Sequence, residues 1–510
     1  MKKAKQFMAI LLSAAMLLSV TACSKDGAQD SKDPSSSKTE YKDTITIGTS
    51  LDVTTTDPQG SNTDANMMLF YLTHETLVEL DSKTGEVIPG LAEYEKVDST
   101  HFKFTLPSNA TFTDGTPCTA KDVKFTYERA MKSSFTSPKV SLISNIEVVN
   151  DTSLIITISK PSQEFLMNLA HKSLSILSEK AVTEKGDEGS SLGTGMYSLK
   201  EWITGDHTMV TRYDGYRNGA AKTKNIEFRI MKEDSARVIA LQTGEIDVCV
   251  DPPAVELDHI SSDSNLNLVQ IPNVVMLYLT MNNTIEPFNN KLVRQAIAHA
   301  INKEALITAG YNNLGTVHNS MINRGQFGLD ESNKGYDYDL EKAKELLKEA
   351  GYANGFTFEL AYNGSAKNLM AQVIQADMAK IGVTVKLEEM ESAALKSMLN
   401  EHTHKTALYQ WTDADGTDFT VRSMYYTGSG SNRSLISDAK LDKMIDDALV
   451  EEDSAKREKM YNEIDQYVTE ACPIVPICTS MINVGTNKKV EGVVWMSNAK
   501  HDYRGIYIAK

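Results

Sequence analysis

The sequence predicts an α/β fold in which helices cover one or more sheets. Of the 510 residues, 41% are hydrophobic and 24% are charged, so the chain can bury a large apolar core. From residue 44 onward, short runs of alternating apolar and polar side chains take turns with amphipathic helical patterns, without internal repeats. This order of elements is typical of sheets covered by helices, and the length suggests two to four domains of roughly 100–200 residues each.

The first clear elements lie in the N-terminal half. Apolar side chains alternate over residues 102–106, which predicts a half-buried strand. Thr119 and Asp122 have the spacing of a capping box and predict the start of a helix. Residues 226–230 alternate again and predict a second strand.

Two helices are expected further along. Asp234 is interpreted as the N-cap of a helix that ends at Gly244, and residues 246–250 then predict a strand. Apolar side chains at helical spacing follow over residues 293–301. The cap of this second helix is either Asn289 or Asn290.

The same alternation continues in the C-terminal half. Residues 340–350 contain an apolar stripe at helical spacing. Residues 356–362 and 383–387 alternate and predict two more strands. Ligands of such α/β bodies bind outside strand ends or between lobes.

The N-terminus has the layout of a signal peptide. Three lysines precede an apolar run over residues 7–20, which is shorter than the ~20 residues of a membrane span. Residues 20–23, Val-Thr-Ala-Cys, resemble a bacterial lipobox, which implies cleavage before Cys23 and lipidation of its sulfur. The alternative is an ordinary secretory signal with a chance cysteine. The lipobox interpretation predicts a lipoprotein anchored at the extracytoplasmic face of the cell membrane.

The segment after this cysteine is polar and the whole chain is acidic. Residues 24–43 contain no Leu, Ile, Val, Met or Phe, which predicts a flexible tether and implies a partner in the same membrane. The net charge is −16, and removal of the three leader lysines leaves −19. This negative field argues against nonspecific binding to nucleic acid or to an anionic membrane surface.

Motifs that carry chemistry are scarce. Cys118, Cys249, Cys472 and Cys478 show no zinc-like spacing, and the last two either form one disulfide or are two buried thiols. The sequence has no G-x-S-x-G nucleophile motif, no phosphate loop ending in Gly-Lys-Ser/Thr and no H-E-x-x-H metal motif. We therefore expect a non-catalytic protein without a cofactor.

Two segments contain possible metal ligands. Residues 413–418 contain three aspartates, but an EF-hand loop begun at Asp413 would need a glutamate at position 424, which is Met. His402 and His404 either place two imidazoles on one side of a strand or form a solvated loop pair. We expect no metal site.

Four segments, taken together and in order, resemble the family 5 extracellular solute-binding proteins, the peptide and nickel receptors of ABC importers. The first contains FTDGTPCTAKDV at residues 112–123, which is similar to the family's Asp-Gly turn and helix start. The resembling residues are 102–106 and 112–123; 193–197, 201–202, 235–237 and 244–248; 281–284, 287–288, 293–296 and 301–304; and 343–347, 350–352, 434 and 441–443. The chain departs from the family at Cys118, usually an aromatic or apolar residue, and at Met196, usually Pro.

The resemblance implies a bilobed, periplasmic-binding-protein-like fold of type II, with an extra domain and a ligand cleft between the lobes. Residues 1–22 are the expected signal peptide, and residues 23–43 the lipidated cysteine and tether. Lobe I is expected to take residues 44–65, 185–275 and 482–510, the inserted extra domain residues 66–184, and lobe II residues 276–481. The expected hinges are the chain crossings near residues 274–281 and 477–484.

The resemblance also implies binding residues. In peptide-binding relatives, a carboxylate a few residues after a Trp pairs with the α-ammonium group of the ligand, and here Trp411 is followed by Asp413 and Asp415. The segment is about two residues shorter than usual before Phe419, so either aspartate fits, and a solvated turn is the alternative. Other candidates lie at expected cleft edges or after the first strand: Tyr278, Tyr362, Asn363, Thr55, Thr56 and Asp57. Arg422 and Arg433 are available to hold a ligand carboxylate.

The function implied is that of a lipid-anchored, monomeric, non-catalytic receptor. It would capture short peptides, from dipeptides to oligopeptides, and deliver them to an ABC permease. Within the family, the alternative is another solute such as a nickel complex, an oligosaccharide or an opine-like compound. Outside it, the alternatives are a peptidase that uses the acidic turn and a peptide-sensing or chaperone-like surface lipoprotein without import.

Overall fold

An eleven-stranded sheet connects most of the chain. The computed structural model describes residues 40–61, 63–81, 86–324, 326–411, 416–496 and 500–510. The expected signal peptide, Cys23 and residues 24–39 of the expected tether lie outside these ranges. In the described ranges, no helix has the length and apolar character needed to cross a membrane.

The strands are β1 (Thr44–Thr49), β2 (Val78–Leu80), β3 (Val87–Pro89), β4 (Glu93–Lys96), β5 (His101–Thr105), β6 (Ile143–Asn150), β7 (Ser153–Ile158), β8 (Tyr197–Ile203), β9 (His207–Arg212), β10 (Asn225–Ile230), β11 (Val248–Val250), β12 (Leu266–Met281), β13 (Gly315–Val317), β14 (Thr357–Tyr362), β15 (Thr384–Glu389), β16 (Thr406–Trp411) and β17 (Ile474–Asn487).

The α-helices are α1 (Asp64–Thr73), α2 (Ala120–Ala130), α3 (Ser137–Val140), α4 (Phe165–Leu169), α5 (Glu179–Lys185), α6 (Asp234–Thr243), α7 (Leu257–Ser262), α8 (Lys291–Ala300), α9 (Lys303–Tyr311), α10 (Leu340–Glu349), α11 (Ser365–Ala379), α12 (Ser392–Asn400), α13 (Thr417–Tyr425), α14 (Ala439–Val450) and α15 (Ser454–Ala471). Four short 3-10 turns complete the described secondary structure, at Pro58–Gly60, Lys172–Leu174, Gly186–Ser191 and Ala254–Glu256.

Two long strands lie in the middle of the large sheet. Its order is β15-β14-β16-β12-β17-β11-β1-β10-β9-β8, and β13 also pairs with β17. The antiparallel pair β12 and β17 therefore separates the strands of residues 357–411 from those of residues 44–49 and 197–250. The mixture of one large sheet, a four-stranded sheet (β4-β5-β7-β6) and covering helices confirms the predicted α/β class.

Local signals placed most of the predicted elements. The carboxylate of Asp122 accepts a hydrogen bond from the Thr119 backbone N–H at 2.8 Å, the capping-box contact expected at the start of α2. Asn290 caps α8, since its side-chain oxygen accepts from the Leu292 N–H at 2.9 Å. The expectation for Asp234 is wrong by one residue. Glu233 is the N-cap of α6, and the Asp234 carboxylate instead accepts from the Arg237 guanidinium at 2.7 Å.

Buried apolar side chains form separate clusters. One lies wholly within residues 77–176 and packs around the four-stranded sheet. Others lie against the two halves of the large sheet, one built from residues 277–478 and one that combines β1, β10 and the C-terminal residues. Helix α1 packs in the cluster with β1, so the expected domain boundary after residue 65 falls inside a helix.

Three histidines are buried and held neutral. His74, His404 and His501 are each at most 2% exposed, and burial lowers their pKa values to about 4. The Nε2 of His404 donates to the Arg433 carbonyl at 2.7 Å, so this ring serves packing, and the metal interpretation of His402 and His404 has no support. Among the described residues, no three His, Cys, Asp or Glu side chains are placed to hold a metal ion together.

These histidines predict a loss of stability in acid. Between pH 6.5 and pH 4 the unfolded chain binds more protons, so their contribution is present above pH 6.5 and is lost as the pH falls toward 4. At pH 5 this loss is about 2 kcal/mol for each histidine. His404→Gln should reduce the difference between the unfolding free energies at pH 7 and pH 5, measured by urea denaturation, by about that amount. The exposed His259→Gln is the control, and an unchanged difference in H404Q would contradict the assignment.

The cysteines follow the second alternative. Cys472 and Cys478 are two separate buried thiols, as are Cys118 and Cys249. Burial raises the pKa values of Cys472 and Cys478 to about 12. These thiols therefore stay protonated at neutral pH and act as small apolar side chains.

Candidate functional site

The candidate site lies where β16 ends beside an irregularity in the two long strands. Trp411, the last residue of β16, is opposite Met276 of β12, which in turn is opposite Thr479 of β17. The pairing of β12 with β17 shifts register between Pro272 and Met276. The end of β16 therefore lies beside the point at which the β12–β17 pairing is irregular. This point is close to both expected hinges, at residues 274–281 and 477–484.

The position of Trp411 suits a side chain that lines a ligand-binding site. Its ring is partly buried and lies 6.2 Å from the ring of Phe419, with an angle of 33° between the planes. The indole Nε1 is buried and has no hydrogen-bond partner among the described residues. Leaving a buried donor unpaired costs about 1–3 kcal/mol, so this N–H is a candidate donor to a bound ligand.

The expected carboxylate anchors follow directly. Asp413 and Asp415 lie outside the described residues, so their contact with a ligand stays a prediction. The structure does fix both flanks of this segment. Trp411 ends β16, and Gly416 is the N-cap of α13, the helix that carries Phe419.

A third carboxylate contacts the first turn of α13. Glu164, the N-cap of α4, accepts hydrogen bonds from the backbone N–H groups of Asp418 at 2.6 Å and Phe419 at 3.2 Å. Burial, followed by the nearby charge of Asp418, raises the pKa of Glu164. No local pattern in the sequence announces this contact, because 254 residues separate Glu164 from Asp418.

The two arginines expected to be available are engaged by the protein. Arg422 pairs with Asp418 at 3.1 Å and with Asp446 at 2.9 Å. Arg433 is buried and donates to the carbonyl groups of Leu399 and Gly430 and to the Asn400 side chain. Holding a ligand carboxylate would require either side chain to give up these partners.

Sequence reasoning missed a different cation. Arg324 lines a pocket of about 230 Å³, and its guanidinium donates to the Thr316 hydroxyl at 3.3 Å. Thr316 is opposite Thr479 of β17. Thr479 is opposite Met276, which is opposite Trp411, so these paired residues connect Arg324 to Trp411 across the sheet. The loop after β13 also contains Lys334, so no pattern in the sequence distinguishes Arg324.

Tyr278 and Tyr362 are buried in this conformation. Tyr278 is 1% exposed and packs edge-on against Tyr409 at 6.4 Å. Tyr362 is 4% exposed, and its hydroxyl donates to the Asn368 side chain at 3.4 Å. Asn363 follows β14 and is partly exposed. Ligand contact by these three residues stays a prediction, and Tyr278 offers almost no free surface for it.

Thr55, Thr56 and Asp57 form a loop after the first strand that is held internally. The Asp57 carboxylate pairs with Arg129 at 2.5 Å and accepts from the Gln59 N–H at 2.9 Å. The Thr55 hydroxyl accepts from the Asp57 N–H at 3.1 Å, and Thr56 is partly buried. The charge of Asp57 is thus already compensated, and a ligand role for the loop stays a prediction.

Comparison with known proteins identifies the family. Residues 86–433 match the profile of the bacterial extracellular solute-binding proteins, family 5 Middle. The chain belongs to this family. The proteins of this family are solute-binding components of transport systems, and the fold of this member is the bilobed α/β fold of the periplasmic binding proteins.

Relatives of this family 5 protein include proteins named for the peptides they bind. It is 29% identical over 489 residues to the dipeptide-binding protein of Escherichia coli, covering 88% of this chain and 91% of the relative. The periplasmic binding protein DppA of Helicobacter pylori, solved with the peptide STSA, superposes with a TM-score of 0.77 at 26% identity, covering 92% and 99% of the two chains. AgaA of A. tumefaciens, solved with agropinic acid, has a TM-score of 0.74 at 27% identity, covering 92% and 99%.

Proposed function

We propose that this family 5 protein captures short peptides in its interlobe cleft and delivers them to an ABC permease. The observation that carries the proposal is the end of β16, where Trp411 is followed by two aspartates and then by the capped helix α13. A buried α-ammonium group needs such a counter-charge, because an unpaired buried charge costs several kcal/mol. The names of the E. coli and H. pylori relatives support peptides as the ligand class.

Closure of two lobes is the proposed route of capture. We assign residues 44–65, 185–275 and 482–510 to lobe I together with the whole of helix α1, which packs with β1, the rest of residues 66–184 to the inserted domain and residues 276–481 to lobe II. The register shift in β12 near Pro272 and the long partner strand β17 support hinges at the two crossings. A ligand that prefers the closed form shifts the population by its differential affinity, which is hinge-type switching.

The N-terminal residues complete the proposed receptor. Cys23 would carry the lipid, and the following polar residues would tether a monomeric body to the extracytoplasmic face of the cell membrane. Such a tether keeps the body near a permease while it collects and releases ligand. The proposal includes no catalysis and no cofactor, because the ligand is to be handed on unchanged.

A second candidate function is the binding of another solute by the same cleft. The agropinic acid in AgaA supports it, since that relative shares the fold and a similar degree of identity. A sensing role without import differs only in the partner. Both alternatives keep the hinge and the absence of turnover.

Calorimetric titration with peptides of two to six residues tests the proposal. We expect saturable binding, a higher melting temperature with bound peptide, and peptides that mass spectrometry shows to be intact afterwards. Agropinic acid and a nickel complex serve as comparison ligands. Hydrolysis of the peptide, or binding of a comparison ligand alone, would overturn the assignment of peptides.

A further inference from the structure

The Glu164 contact joins two distant parts of the chain. Glu164 precedes α4, whose residues Phe165 and Leu169 belong to the apolar cluster around the four-stranded sheet. The helix α13 that it caps packs in the cluster with Tyr278 and Ile464. In the proposed domain assignment these are the inserted domain and lobe II, so the Glu164 contact joins the two.

The contact is chemically suited to hold the two sides together. The first N–H groups of a helix lack partners within the helix and carry partial positive charge, so a carboxylate is stabilised there by hydrogen bonds and by the helix dipole. Both carboxylate oxygens of Glu164 are used, one on the Asp418 N–H at 2.6 Å and one on the Phe419 N–H at 3.2 Å. Burial and the nearby charge of Asp418 raise the pKa of Glu164, so the two hydrogen bonds, and not a full negative charge, hold the contact together.

A glycine makes room for this carboxylate. A Cβ atom added at Gly416 would lie 2.6 Å from the Glu164 Cδ and Oε2 atoms. The φ of Gly416 is −120°, which any residue adopts, so the glycine is required by space and not by backbone conformation. The contact therefore depends on both residues, on the carboxyl group of Glu164 and on the absence of a side chain at Gly416.

Two weaker contacts accompany the one made by Glu164. The ammonium of Lys139 lies 5.8 Å from the centre of the Phe419 ring, and Lys96 pairs with Glu452 at 3.5 Å. Lys96 and Glu452 are well exposed, so their pair contributes little by itself. The Glu164 contact is the most enclosed of the three.

Its position connects it to ligand capture. Phe419, whose N–H donates to Glu164, packs its ring against Trp411 of the candidate site, with the ring centres 6.2 Å apart. We propose that Glu164 is a positioning residue for ligand capture, whose carboxyl group docks on α13 as the lobes close and fixes the Trp411–Phe419 pair beside the ligand. This inference rests on the proposed function, and it adds the residue that completes closure.

Cross-linking tests the inference without a known ligand. Cysteines introduced at the exposed positions Lys96 and Glu452 can be joined by a short bismaleimide only when the two sides meet, and the native cysteines among the described residues are buried. In this background we expect Glu164→Ala to slow cross-linking about tenfold, the change that corresponds to one lost hydrogen bond. Gly416→Ala should do the same, because the added Cβ displaces the carboxylate. Gln163→Ala is the matched neighbour and should change nothing.

Peptide affinity provides the second readout. Glu164→Ala and Gly416→Ala should weaken peptide binding about tenfold while the melting temperature of the ligand-free protein stays unchanged, and Glu164→Gln, which keeps one acceptor, should be intermediate. Unchanged cross-linking in E164A, or a lower melting temperature with unchanged affinity, would overturn the inference. Failure of the wild type to bind any peptide would instead overturn the proposed function, and the cross-linking rates would still decide the role of Glu164.

Discussion

Replacing Asp413 and Asp415 together by asparagine is expected to weaken the binding of peptides with a free amino terminus about 100-fold or more. Removing one partner of a buried ion pair costs about 3–5 kcal/mol, because the other charge is left unpaired. Isothermal titration of the double variant with a tripeptide measures the loss. The single variants D413N and D415N then show which carboxylate faces the ligand.

The matching ligand control is the same peptide with an acetylated amino terminus. It should bind the wild type as weakly as the free peptide binds the double variant, and the double variant should distinguish the two peptides poorly. Asp258→Asn, at an exposed position on α7, is the matched protein control. Equal affinity of wild type and double variant for the free peptide would show that the amine is held elsewhere.

Of the substitutions proposed in this protein, Arg217→Met is expected to lower the free energy of unfolding the most. The Arg217 guanidinium makes two hydrogen bonds to the Glu75 carboxylate, at 2.5 and 2.8 Å, and the two side chains are only 9% and 4% exposed. In R217M the Glu75 carboxylate would stay buried. Of the hydrogen bonds from Arg217 and Tyr216, it would keep only the one from the Tyr216 hydroxyl at 2.8 Å. We expect the free energy of unfolding to fall by about 3–5 kcal/mol in urea denaturation.

Lys443→Met is the control for this substitution. Lys443 pairs with Asp447 at 2.8 Å, but the side chains are 75% and 50% exposed. Loss of such a surface pair within a helix costs less than about 0.5 kcal/mol. Similar losses for R217M and K443M would contradict the role assigned to burial.

The elements predicted from the sequence are those specified by contacts between residues that are close together in the chain. The capping box at Thr119 and Asp122 acts within three residues, so the sequence specifies it directly. The sequence narrowed the cap of α8 to Asn289 or Asn290, and the structure selects Asn290. The Asp234 cap was misplaced because Glu233 and Asp234 are both acidic and adjacent. The Asp234 carboxylate instead accepts a hydrogen bond from Arg237, three residues further along the same helix, and a capping pattern does not distinguish this contact from a cap.

The site was predicted less completely because its partners come from distant segments. Ligand contact by Asp57 stays a prediction, but its carboxylate already pairs with Arg129, 72 residues away. Arg433 was expected to be available for a ligand carboxylate, but its guanidinium donates to main-chain carbonyl groups. Glu164 carried no signal at all, since its role depends on a helix start 254 residues further along. Spacing within one segment cannot reveal such pairings.

Small-angle X-ray scattering with and without a saturating peptide tests the central claim most directly. The account predicts a smaller radius of gyration in the presence of a peptide that calorimetry shows to be bound, as two lobes close around it. The same peptide should be recovered unchanged. An identical scattering profile for the free and the peptide-bound protein would contradict capture by lobe closure.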